Sequence, residues 1–113
     1  MTIIGLKLSG SFLDVIAKVD DSMVDKLKRF DFDVVDLKAA FVIQLQQVQG
    51  DKGMGMAPNL SPINIFTRDL KESVVTLKKS DILFFFDIDE NLENFYRESI
   101  GDITVSSQKV IMP

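Results

Sequence analysis

Apolar and polar residues alternate with a period of two from the start of the chain. Ile4, Leu6 and Leu8 fall on one face of a first strand. After a turn at Ser9-Gly10, Leu13, Val15, Ala17 and Val19 share one face of a second, with Phe12, Asp14, Ile16 and Lys18 opposite. That is the pattern of a half-buried antiparallel hairpin, and glycine accepts the backbone angles of its turn. Asp20 to Asp33 is strongly charged, with Met23, Val24, Leu27 and Phe30 at helical spacing, which predicts a long connection holding one or two helical turns. Val34 to Val48 returns to strand character: Phe41, Ile43 and Leu45 point one way and Ala40, Val42, Gln44 and Gln46 the other. Apolar residues on both faces around Ala39–Ile43 predict a strand covered on both sides or bent around a barrel.

The remainder reads in the same terms. Gln49-Gly50-Asp51-Lys52-Gly53 predicts a hairpin turn, and Met54 to Ile65 a fourth strand interrupted by Pro58 and Pro62. Proline donates nothing to a ladder, so this strand belongs at an edge or a bulge. Phe66 to Glu72 reads as a short polar connection, and Ser73 to Asp87 as a long strand region with Lys79-Ser80-Asp81 as a candidate break. From Asp89 to Ile100 the period changes. Leu92, Phe95, Tyr96 and Ile100 form one helix face, with Asp89 as N-cap, Glu90 and Glu93 at the positive end of the dipole, and Gly101 as the stop. Ile103 to Met112 reads as a last strand. The fold class expected is mainly β, a strongly bent five-stranded antiparallel barrel over residues 1–88, with a C-terminal helix and an extra terminal strand over residues 89–113, all in one domain of 113 residues.

Composition narrows the chemistry. The chain has no histidine and no cysteine, which removes serine triads, cysteine–histidine dyads, histidine-containing zinc sites and disulfides. No catalytic residue, metal or cofactor is expected. The longest apolar run, Ile82-Leu83-Phe84-Phe85-Phe86, is strand-sized, so no membrane partner is expected, and no secretion signal is read at the start. A net charge of -4 argues against an unfocused charge-driven grip on nucleic acid; any such binding needs local basic loops.

Several short stretches resemble a known family. Ile3-Ile4-Gly5-Leu6-Lys7-Leu8 with Ile16-Ala17-Lys18-Val19, the central Leu37–Val48, Met56-Ala57-Pro58 with Leu60-Ser61-Pro62, Lys79-Ser80-Asp81-Ile82, and Leu92-Glu93-Asn94-Phe95-Tyr96 are together similar to the Sm-like (LSm/Hfq-type) small β-barrels. The likeness is greatest to the small Sm-like proteins assigned to cyanophages in marine metagenomes. The family's usual N-terminal helix, its Arg-Gly pair between the last two strands and the histidine motif of Hfq are missing here. The resemblance therefore carries the barrel and the ring, without base-specific uridine pockets.

That resemblance implies a ring-shaped homo-oligomer, closed by pairing the fourth strand with the fifth strand of a neighbour. It also implies binding of RNA or single-stranded DNA in the cytoplasm of an infected bacterial host, with no catalysis. Sm rings meet nucleic acid through the loops after the second and fourth strands. Here those loops supply Lys26, Lys28 and Arg29 beside Phe30, and Arg68 and Lys71 beside Phe66. Cations neutralise phosphates and aromatic or guanidinium planes stack on bases. Asp20, Asp21, Asp25, Asp31 and Asp69 dilute that positive charge, so a solvated loop over core phenylalanines is the competing reading. The alternative function is a viral structural or assembly protein built on the same ring. A carboxylate-dependent metal enzyme at Asp87 and Asp89 ranks last, for want of other convergent polar residues, and the same pair suits the start of a helix.

Overall fold

The computed structural model describes residues 1–51, 53–63 and 71–101. Six antiparallel strands form one sheet: β1 (Thr2–Leu8), β2 (Asp14–Val19), β3 (Val34–Gly50), β4 (Gly53–Pro62), β5 (Val74–Lys78) and β6 (Ile82–Phe86). Two helices join them, α1 (Val24–Lys28) behind a 3₁₀ turn at Asp21–Met23, and α2 (Glu90–Ile100). The expected fifth strand is two strands, parted by a 3₁₀ turn at Lys79–Asp81. The extra strand expected over Ile103–Met112, and the end of the fourth strand past Ile63, lie outside the described residues.

The strand order is β4-β3-β2-β1-β6, with β5 also on β3. β4 and β5 lie end to end along the same edge of β3. Pairing runs from Gly50↔Gly53 to Phe41↔Pro62 on β4, then from Lys38↔Val74 to Val34↔Lys78 on β5. Ladder bonds continue across the junction: the Ile63 N–H donates to the Ala40 carbonyl at 3.0 Å and the Ala39 N–H to the Ser73 carbonyl at 2.9 Å. The 17-residue β3 is thereby held over nearly its whole length by two successive partners.

The bend sits at Ala39. Its φ is +52°, and Ile16↔Phe41 is followed by Lys18↔Lys38, so β3 carries one residue more than β2 at this point. Such a bulge shifts the phase of the side chains. Val35, Leu37 and Ala40 enter one core, while Ala39 and Phe41 enter the other. This is why the sequence is apolar on both faces there.

The first core fills the concave side of the sheet. Leu6, Val15, Ala17, Val19, Val35 and Leu37 meet Leu27 of α1, with Leu77 of β5 and Phe85 of β6 packed against them. Opposite margins of the sheet reach one cluster, so the sheet curls around it; among the described residues no ladder joins β5 to β6. The second core lies on the convex side under α2, where Tyr96 and Ile100 cover Ile16, Ala39 and Phe41, with Leu92, Ile43, Leu60 and Ile88 beside them. The expected ends of α2 are present: Asp89 accepts from the Leu92 N–H at 2.8 Å, and Gly101 takes a φ of +78°. The first hairpin also keeps its expected inner face, except that Leu13 is left outside; Phe12, expected on the opposite face, is exposed in the turn with a φ of +57°.

Candidate nucleic-acid interface

α1 is short, and its end is unusual. The Asp31 N–H donates to the Lys26 carbonyl at 2.8 Å and the Phe30 N–H to the Leu27 carbonyl at 3.1 Å. These are the paired bonds of a Schellman stop, whose left-handed position normally holds glycine. Here Phe30 occupies it with a φ of +55°. A side chain in that region costs on the order of 1 kcal/mol or more. The aromatic ring offsets the cost: Phe30, Phe32 and Phe85 form a mutually contacting trio with centroids 5.5–5.9 Å apart.

This stop closes the segment that carries Lys26, Lys28 and Arg29, and Lys28 shares a cleft with Phe30. Lys26, Lys28 and Arg29 are exposed and have no carboxylate within ion-pair distance among the described residues. A further cation comes from the 3₁₀ turn after β5. The Lys79 ammonium stands 5.7 Å from the Phe30 centroid, within cation–π range, and its backbone N–H donates to the Asp33 carbonyl at 2.9 Å. Two open clefts lie at this turn, one lined by Phe30 and the other by Phe32. One, of about 410 Å³, lies between α1 and β6 and is lined by Val24, Leu27, Lys28, Phe30, Phe85 and Asp87. The other, of about 480 Å³, holds Lys26 and Lys79 with Asp31 and Asp33.

The diluting carboxylates fall into two groups. Asp20 is engaged as a cap, accepting from the Ser22 N–H and the Ser22 hydroxyl, each at 2.9 Å. Those bonds, the backbone one first, hold its carboxyl below the usual aspartate range. Asp21 is held low as well, chiefly by the Thr2 hydroxyl at 2.8 Å and then by the terminal ammonium. Asp25, Asp31 and Asp33 remain exposed beside the cations.

The two loops singled out in the sequence do not converge among the described residues. Lys71 precedes β5 and Lys79 follows it, so the five residues of β5, roughly 17 Å of strand, separate them. Lys71 stands next to Glu72, whose carboxylate pairs with Lys38 at 3.4 Å. Phe66 and Arg68 lie outside the described residues. Lys79 was missed because Lys79-Ser80-Asp81 reads only as a break. Nothing local announces that the Val34↔Lys78 register delivers it to Phe30. Asp89, one of the paired carboxylates, is the N-cap of α2. Compared with known families and with curated proteins, the chain matches no family model and no curated relative.

Proposed function

We propose that this protein is a non-enzymatic, ring-forming protein of Sm-like type that binds single-stranded RNA or DNA. The observation carrying this reading is the set of exposed cations Lys26, Lys28 and Arg29, without an ion pair among the described residues, with Lys79 over the Phe30 ring, on an otherwise acidic body. Lys26, Lys28 and Lys79 would neutralise phosphates, and the Arg29 guanidinium and the aromatic cleft beside Phe30 would take bases. The strand order, with β6 beside β1 and a proline-bearing outer strand β4, supports the Sm-like reading. The two outer edges, β4 on one side and β6 on the other, are the pair a neighbouring copy would join to close a ring. Repetition around a ring would multiply a weak single-site contact.

Fluorescence anisotropy with a labelled oligouridylate and an oligothymidylate tests the proposal. Binding is expected at low salt, weakening as salt rises and by several-fold in Lys28→Ala or Arg68→Ala. Absence of binding at low salt overturns it. A second reading, a structural or assembly protein of a virus particle, is favoured by the net charge of -4 and by the two sheet edges that have no strand partner among the described residues. Copurification with particle proteins rather than nucleic acid would select it.

A further inference from the structure

The outer halves of β3 and β4 form a two-stranded arm that leaves the body of the protein. Gln44 to Gln47 and Gly53 to Met56 are all exposed. Register sorts its two faces. Leu45↔Pro58, Gln47↔Met56 and Gln49↔Met54 lie on one, and Gln44↔Asn59, Gln46↔Ala57 and Val48↔Gly55 on the other. The first face continues from Ile43↔Leu60, which sits in the core beneath α2. An apolar stripe therefore begins under the helix and runs uncovered toward the tip, with Leu45 66%, Met54 61% and Met56 57% exposed.

The arm is also unlike the rest of the chain in charge. Between Lys38 and Pro62 the charged residues are Asp51 and Lys52, adjacent in sequence and opposite in sign, in a chain that is 27% charged. Exposed sheet margins are ordinarily guarded by charges. Depletion of charge together with exposed methionine is the composition of a contact surface. Among the described residues no cation lines this stripe, so a phosphate backbone has nothing to meet there.

We infer that this stripe is the contact surface for a second copy of the same chain, the two arms lying face to face and antiparallel about a two-fold axis. The stripe is complementary to itself. Its outer part is a ridge, Met54 and Met56. Its inner part is a groove of about 560 Å³ lined by Ile43, Leu45, Pro58, Leu92 and Phe95, with Asp89 and Asn91 at its lip. A two-fold axis through the Gln47↔Met56 pair sets Met54 of each arm against the Leu45↔Pro58 row of the other copy's groove, with the two Met56 side chains meeting at the axis. Charge is compatible with this occupant: although the whole chain carries -4, the charges of the arm, Asp51 and Lys52, sum to zero. The patch is on the order of a few hundred Å² per copy. That is about half the roughly 800 Å² per partner of a standard interface, so the contact is reversible and concentration-dependent. It uses the face of the arm, leaving the edge of β4 unpaired, and does not depend on the proposed ring.

Because the chain has no cysteine, single cysteines report the geometry directly. Facing sheets stand about 10 Å apart, beyond a disulfide but within a bis-maleimide of that span. Gln47→Cys is expected to give covalent dimers at tens of micromolar protein, and Gln46→Cys, also exposed but on the opposite face, to give none. Equal yields from both positions, or no dimer from Gln47→Cys, overturn the inference. In sedimentation, Leu45→Lys/Met56→Lys is expected to halve the particle mass with an unchanged melting curve. An unchanged mass, or a complex with a different protein seated on the stripe, also overturns it. A ring that disappears while Gln47→Cys still cross-links would count against edge pairing alone.

Discussion

The Tyr96 hydroxyl on α2 donates to the Ala39 carbonyl at 2.6 Å, joining the middle of the helix to the bulge of β3. The register skip takes Ala39 out of the β2–β3 ladder, and burial removes water as a partner for its carbonyl. A helix tyrosine supplies the missing donor. α2 therefore does more than cover an apolar face: it supplies a donor to a backbone carbonyl at the bend.

Tyr96→Phe isolates that bond. The ring can keep its edge-on packing against Phe41, at 5.9 Å between centroids, while the hydroxyl is removed. The variant is expected to lose about 1–2 kcal/mol, the cost of leaving a buried carbonyl unpaired. In urea titration the midpoint should fall with the slope unchanged, which separates lower stability from altered compactness.

At Ala39 itself the backbone lies in the left-handed region and the side chain is fully buried. Ala39→Gly relieves the backbone strain but adds freedom to the unfolded chain, so its stability is expected within about 1 kcal/mol of the parent. Ala39→Val places a stiff, β-branched side chain at positive φ in a filled core. A loss of about 3 kcal/mol is expected, read from thermal or urea unfolding.

These two residues also mark where sequence reasoning ends. Period-two patterning located the first hairpin's inner face, Leu6 with Val15, Ala17 and Val19, because each of those placements is set by local alternation. Capping chemistry located Asp89 and Gly101 for the same reason. Ala39 and Phe30 gave no signal, since alanine and phenylalanine are not the residues that usually announce a left-handed backbone; tertiary packing imposes it on both. The end-to-end placement of β4 and β5 on β3 was equally hidden. It joins strands separated in sequence, and only the register reveals it. Lys79 belonged to that hidden part, and so its neighbourhood with Lys26, Lys28 and Phe30 came from the fold.

Lys79 and Lys71, at opposite ends of β5, give a direct test of which loop meets nucleic acid. Lys79→Ala is expected to weaken single-strand binding several-fold and to lower the salt slope by about 0.7 for each phosphate no longer neutralised. Lys71→Ala is expected to change affinity less. Anisotropy titrations at three salt concentrations read both quantities.

Acid affects the segment before α1 in a defined direction. The carboxyl of Asp20 is held below its ordinary value by Ser22, so the cap's stabilisation is fully present above the unfolded aspartate value of about 3.9. It disappears as pH falls through the lower, folded value. The difference in melting temperature between the parent and Asp20→Ala should therefore be constant near neutrality and close below about pH 4. Asp20→Asn keeps an acceptor oxygen and does not titrate, so its difference from Asp20→Ala should persist on acidification.

Gly5 in β1 is the point where the ring of Phe86 crosses the sheet. A Cβ built at Gly5 would collide with that ring and stand 2.7 Å from the Ile88 methyl. Phe86 in turn meets Phe84 edge-on, at 6.2 Å between centroids, on the convex face of β6. Gly5→Ala must displace this aromatic pair and loosen β6, the outer strand of the sheet, from β1. The expected cost is about 1–3 kcal/mol, with the amides of β6 exchanging faster than those of β2. Phe86→Leu shortens the obstructing side chain and should absorb part of that cost. A double-mutant cycle should thus show a favourable coupling of about 0.5–3 kcal/mol between the two positions. Strict additivity would mean that the glycine is kept for its backbone and not for the room it gives the ring.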